Sequence, residues 1–198
     1  MTLYRLNLRL SQELFTIISC FEVALRNNID RHYSTLHGSD WLRDSFSLGG
    51  MFTVQKCTNT ANIVRDAYHK LGLNYSHDKL IAKLDFGFWR YLFATPQFTT
   101  GGSSLLNIFP AKPRSSSLMQ YNHSFVFNEL AKINEIRNRI AHHEPVCFEL
   151  GRTVKSTAYA RQHYVLVLQL FQWMQISESA LLYGLDHVYG TCDDIDAL

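Results

Sequence analysis

From Leu14 through Ile18, Phe21, Leu25, Ile29 and Leu36, apolar side chains return at steps of three, four and seven residues. Such a set lies on one face of a helix; a strand would scatter it over both faces, because its side chains alternate every second residue. The other face carries Glu22, Arg26, Asn27 and Asn28, so the helix is half polar and has to be covered along a single stripe. A second stripe is as clear: Val126, Leu130, Ile133 and Ile140 recur at helical steps, with Arg137 on the same line.

The intervening and following segments read the same way. Thr58 to Leu71 forms a helix closed by Gly72, Ser76 caps another that runs from Leu80 to Phe93, and a helix from about Ser156 turns Tyr159, His163, Leu166, Leu170 and Trp173 inward. Ser177 restarts the chain for a last helix to about Val188. Leu84-Asp85-Phe86-Gly87-Phe88-Trp89 is apolar nearly all round, which places it in the core; its aromatics either pack there or stack on bases. At 198 residues, 46% hydrophobic and 18% charged, residues 1–198 suffice for one all-α domain. Leu6, Leu8 and Leu10 alternate with Asn7 and Arg9, predicting an extended arm over 1–10 with Ser11 as the following N-cap. Gly38 and Gly49-Gly50 punctuate a loop around Trp41, and Thr, Gly, Ser and Pro with Lys112 and Arg114 predict a basic loop over 96–117.

Several classes of chemistry have no foothold. Cys20, Cys57, Cys147 and Cys192 are scattered without a Cys-x-x-Cys pair, which predicts reduced thiols and a cytoplasmic chain. The apolar run from Tyr164 to Ile176 is too short for a bilayer and is interrupted by glutamines, and no signal-peptide core is seen at the start. There is no glycine-rich phosphate loop, nucleophile elbow or recognised metal-ligand spacing, so neither metal nor cofactor is expected. Cys147 near His143 lacks the constellation a cysteine nucleophile needs.

Chemistry concentrates instead in Ile136-Arg137-Asn138-Arg139-Ile140-Ala141-His142-His143-Glu144-Pro145. Pro145 ends the helix, because it lacks an N–H and disfavours the α conformation at Glu144. His142 and His143 therefore fall in the last turn, where they either cap the unpaired carbonyls or stand with Arg137 as an arginine and histidine pair for phosphodiester chemistry. Histidine can move the protons of such a reaction and arginine can hold a phosphate in two hydrogen bonds. Asn138, four residues before His142, is placed to orient its ring. The net charge of +2 does not announce a nucleic-acid binder, but Lys132, Arg137, Arg139, Arg152, Lys155 and Arg161 outnumber the acidic residues around the motif.

This run, with its doubled histidine and Glu-Pro exit, resembles the signature of HEPN domains and in particular of the Abi-like (abortive infection) proteins. Glu22 to Asn28, Leu84 to Trp89 and Leu168 to Leu185 also resemble that family. The resemblance implies an all-α, HEPN-like helical bundle with additional helices. It also implies a metal-independent endoribonuclease that leaves 2′,3′-cyclic phosphate and 5′-hydroxyl ends, in phage defence or a toxin-like stress response. Arg137, Asn138, His142 and His143 would be catalytic, with Arg139, Arg26 and Asn27 binding substrate. RNA and a second copy of the chain, meeting through the Arg137 to His143 helix, are the partners it implies, with room for an antitoxin. The alternatives are a catalytically silent RNA- or nucleotide-binding relative and a non-enzymatic helical interaction protein. On a regular helix Arg137 and His142 project roughly 140° apart, so one helix reaches one phosphate with both only if its end unwinds or a second copy completes the site.

Overall fold

Helix α1 runs unbroken from Leu3 to His37 in the computed structural model, which describes residues 2–198. Its inward line is Leu6, Leu10, Leu14, Ile17, Phe21, Leu25, Ile29 and Tyr33, every one buried. The extended arm expected over 1–10 is therefore replaced, across its described residues, by the first turns of this helix. Leu6 and Leu10 belong to the helical stripe, whereas Leu8 is exposed and only mimics a two-residue period. Ser11 lies inside the helix and caps nothing.

After α1 come α2 (Trp41–Asp44), α3 (Thr58–Leu71), α4 (His77–Lys83), α5 (Phe86–Tyr91), α6 (Thr95–Thr100), α7 (His123–Ala141), α8 (Ala158–Trp173), α9 (Glu178–Leu181) and α10 (Val188–Asp196). The fold is all-α. Among the described residues the extended pairing is one isolated bridge between Phe148 and Lys155. The chain divides into two compact units, one of Met1–Val23 with Glu129–Leu198 and one of Ala24–Asn128; the divisions fall inside α1 and inside α7.

In the first unit, Leu130, Ile133, Ile136 and Ile140 from α7 and Val167, Leu170 and Phe171 from α8 are buried together with the early residues of α1. Phe21 meets Phe171 edge to face with ring centres 5.3 Å apart. The chain end is fastened to the start of α8: Arg161 donates to Asp193 at 2.6 Å and to Asp196 at 3.0 Å, and Thr157 Oγ1 donates to Asp196 at 2.8 Å. The helix expected from Ser177 to Val188 is instead α9 and α10, separated by a turn in which Gly184 has φ +73°.

The second unit is organised by Asp30, whose Oδ1 accepts from Trp41 Nε1 at 2.8 Å and meets His77 Nε2 at 2.7 Å. Ser76 caps α4 by accepting from the Lys79 N–H, and Gly72 follows α3 at φ +51°, both as its sequence predicts. The single helix expected over Leu80 to Phe93 is divided in two, because Asp85 takes an extended conformation and its carboxylate caps α5 at the Phe88 N–H, 2.9 Å away. Phe86, Phe88 and Trp89 are buried, so these aromatics pack in the core. Part of the loop expected over 96–117 is ordered as α6 and a 3-10 turn at Leu105–Ile108, and the motif helix starts at His123, capped by Asn122.

His163 on α8 is the buried histidine of the first unit. Its Nδ1 donates to the Tyr159 carbonyl at 2.8 Å, and burial lowers its pKa below the ordinary 6.5. An unfolded chain then takes up a proton more readily than the folded one as pH falls. The His163 contribution is complete above pH 6.5 and is lost as pH drops below that value toward the folded pKa. His32, whose pKa burial also lowers, acts in the same direction. The fall in urea midpoint between pH 7.5 and pH 5.5 should therefore be smaller in His163→Gln than in wild type without vanishing; an identical fall in the two proteins would contradict this assignment.

Candidate active site at the end of helix α7

Helix α7 is closed by its own backbone. The His143 N–H donates to the Ile140 carbonyl at 3.0 Å and the Glu144 N–H reaches back to the Arg139 carbonyl at 2.9 Å, while His143 takes φ +58°. This pair of bonds around one left-handed residue is the Schellman closure. It answers the question the two histidines raised. Their side chains do not cap the helix; among the described residues neither imidazole has a hydrogen-bond partner, and both residues are exposed.

Of the two positions next to each other on α7, Ile136 takes the core site and Arg137 stands about 100° further round, half-buried. The expectation that Arg137 lies on the buried stripe is corrected accordingly. Its guanidinium has no carboxylate partner among the described residues, and its one polar contact is at the limit of hydrogen bonding, 3.5 Å from Asn138 Oδ1. Asn138 does not orient an imidazole: its side chain turns to Arg137, and its backbone carbonyl accepts from the His142 N–H at 2.9 Å.

Arg139 has a different place. It donates to the Pro145 carbonyl at 2.9 Å, lies 3.6 Å from the Glu144 carboxylate and stands over the Tyr159 ring at 5.3 Å. The guanidinium expected to hold substrate is engaged with the exit turn and α8. Arg26 and Asn27 belong to the other unit, where Arg26 is half-buried with an unpartnered Nε and Asn27 is exposed.

Beyond the turn, Pro145 leads to buried Val146 and Cys147. The Val146 N–H donates to Asn7 Oδ1 at 2.9 Å, which joins the segment after the motif to the first turns of α1. A cleft of about 350 Å³ opens here, lined by Leu3, Tyr4, Asn7, His143, Pro145, Cys147 and Phe148. Burial pushes the Cys147 thiol up, which works against the thiolate a nucleophile needs. Tyr4 and Asn7 were not singled out in the sequence. Nothing local marks them, since the contact joins residues 139 apart.

The arrangement offers an uncommitted cation and two free imidazoles at one helix end. Among the described residues no three His, Cys, Asp or Glu side chains gather as a metal site, and no helix is long and apolar enough to cross a membrane.

A non-glycine residue at φ +58° carries strain of about 1–2 kcal/mol, which glycine lacks. His143→Gly should accordingly raise stability by about 1 kcal/mol, read as a higher urea midpoint at unchanged slope. A lower midpoint would mean that the imidazole contributes packing that outweighs the strain.

No curated protein and no solved structure matches the chain. A family model described as Abi-like protein matches residues 1–147, which takes in α1 through α7 and the whole arginine and histidine motif and leaves α8 to α10 outside. The chain belongs to the Abi-like protein family.

Proposed function

We propose that this chain is a metal-independent endoribonuclease of the HEPN type, acting in phage defence by abortive infection or in a toxin-like stress response. One observation carries the reading: among the described residues Arg137 is a cation without a carboxylate partner, on the helix that ends in two imidazoles without hydrogen bonds, inside the segment that matches the Abi-like family. In the proposed reaction an imidazole takes the proton of a ribose 2′-hydroxyl and the 2′-oxygen attacks phosphorus. The bond to the 5′-oxygen then breaks, its electron pair leaves on that oxygen, and an acid supplies the proton. Arg137 faces the charge that builds on the phosphorane. His143 is the first candidate for the imidazole because it lines the cleft, with His142 as the alternate.

The site is proposed to be shared by two copies meeting along α7, since Arg137 is not among the residues of the cleft that His143 lines. RNA is the substrate, and an antitoxin that covers the motif is a further expected partner. Arg139 serves the exit turn in this reading, and Arg26 and Asn27 are proposed as RNA contacts only.

Purified protein should cut RNA in the presence of EDTA and leave cyclic-phosphate ends, and Arg137→Ala should abolish the cut. Removing the working imidazole should slow it by about 10² to 10⁴. Loss of activity in EDTA that a divalent ion restores would falsify metal independence, and RNA binding without cleavage would make the chain a silent relative. If each cleft draws Arg137 from one copy and the histidine from the other, Arg137→Ala mixed with the histidine variant should regain about a quarter of wild-type activity, because half of the dimers are mixed and each holds one intact site of two. No regain would confine the site to one chain.

A further inference from the structure

We infer that the cleft between the first turn of α1 and the turn after α7 seats the nucleobase beside the scissile phosphate, with Tyr4 as its stacking platform and Asn7 as the residue that selects it. The inference rests on the ribonuclease reading and specifies how that site takes its substrate. The cleft holds about 350 Å³, and its lining by Leu3, Pro145, Phe148 and Tyr4 is mostly apolar, as the faces of a base require. Tyr4 is 71% exposed and has no hydrogen bond or ring contact among the described residues, so its face is open to a planar ligand. Stacking on such a ring is the usual way a protein holds an unpaired base.

Asn7 adds the polar element. Its Oδ1 already accepts from the Val146 N–H at 2.9 Å, while its Nδ2 has no partner among the described residues. An amide fixed in this way offers N–H donors and little acceptor capacity. It reads the edge of the base through donors, and so favours an edge that presents acceptors, whether carbonyl oxygens or unprotonated ring nitrogens. His143 lines the same cleft, where the left-handed turn takes its imidazole off the helix. A base seated against Tyr4 thus leaves its ribose beside His143, the place a 2′-hydroxyl has to occupy if that imidazole takes its proton. His142, the first residue past the end of α7, is not among the cleft residues.

Two substitutions test the cleft without disturbing what holds it together. Tyr4→Ala removes an exposed ring, and Asn7→Asp keeps the oxygen that accepts from Val146 while removing the amide donors. Wild type and both variants would be compared by steady-state cleavage of short RNA oligonucleotides and by sequencing the ends they leave, with urea midpoints measured to show that the fold is unchanged. Wild-type ends should show a base preference at the cleavage position. Tyr4→Ala should raise KM about 5- to 100-fold with kcat within about twofold, and Tyr4→Phe should restore it. Asn7→Asp should relax the base preference at the cleavage position. A wild-type KM in Tyr4→Ala together with a wild-type base preference in Asn7→Asp would overturn the inference while leaving the ribonuclease reading standing. Wild type that does not cut RNA would overturn that reading and this inference with it.

Discussion

The turn at His143 is the constraint on which the candidate site depends. A helix end leaves its last carbonyls without partners, and here the chain satisfies two of them by reversing through a left-handed residue, so that the N–H groups of His143 and Glu144 point back into α7. Three consequences follow from that one conformation. The imidazoles are not needed as caps, the chain is redirected so that Val146 and Cys147 become buried, and the Val146 N–H is brought to Asn7. Arg139 braces the same reversal through the Pro145 carbonyl and the Tyr159 ring. Its Nε is buried without a partner among the described residues, which opposes stability by about 1–3 kcal/mol, and the bond to Pro145 and the contact with Tyr159 have to offset it.

Left-handed closure alone does not mark a functional residue, and the chain contains its own control. At the end of α8, Gln175 adopts φ +57°, with bonds from its N–H to the Gln172 carbonyl and from the Ile176 N–H to the Phe171 carbonyl. The same motif therefore closes two helices on residues other than glycine, at similar strain. What distinguishes His143 is its surroundings: a cleft on one side and, among the described residues, an arginine without a carboxylate partner six residues earlier on the same helix. Strain supports a functional reading only in company with such neighbours.

How much of this could be read from the residues depended on the range of the interaction involved. Periodicity identified the helices because each apolar stripe is a local record of burial, and Gly72 and Ser76 marked boundaries through chemistry confined to a few residues. It failed where two patterns overlap. Leu6, Leu8 and Leu10 satisfy a two-residue period and, omitting Leu8, a helical one; only the continuation through Leu14 and Ile17 decides between them. Asp85 was legible as a cap in principle, yet the apolar run around it masked the break between α4 and α5. At Arg137 the stripe had two candidates, three and four residues after Ile133, and the core took the isoleucine, as the cost of burying a charge dictates.

The motif was legible as a set of residue types, whereas the cleft was not, and the difference is physical. Arg137, His142 and His143 are close in sequence, so their chemistry can be weighed before any fold is known. Tyr4 and Asn7 acquire meaning only when the start of α1 comes against the chain after Pro145, an approach recorded in one hydrogen bond between residues 139 apart. That bond is also what separates the two roles of Asn7. Its oxygen belongs to the fold, because leaving the buried Val146 N–H without an acceptor would oppose folding, while its amide nitrogen has no structural duty among the described residues. A side chain divided in this way can hold a site in place and still present donors to whatever enters it.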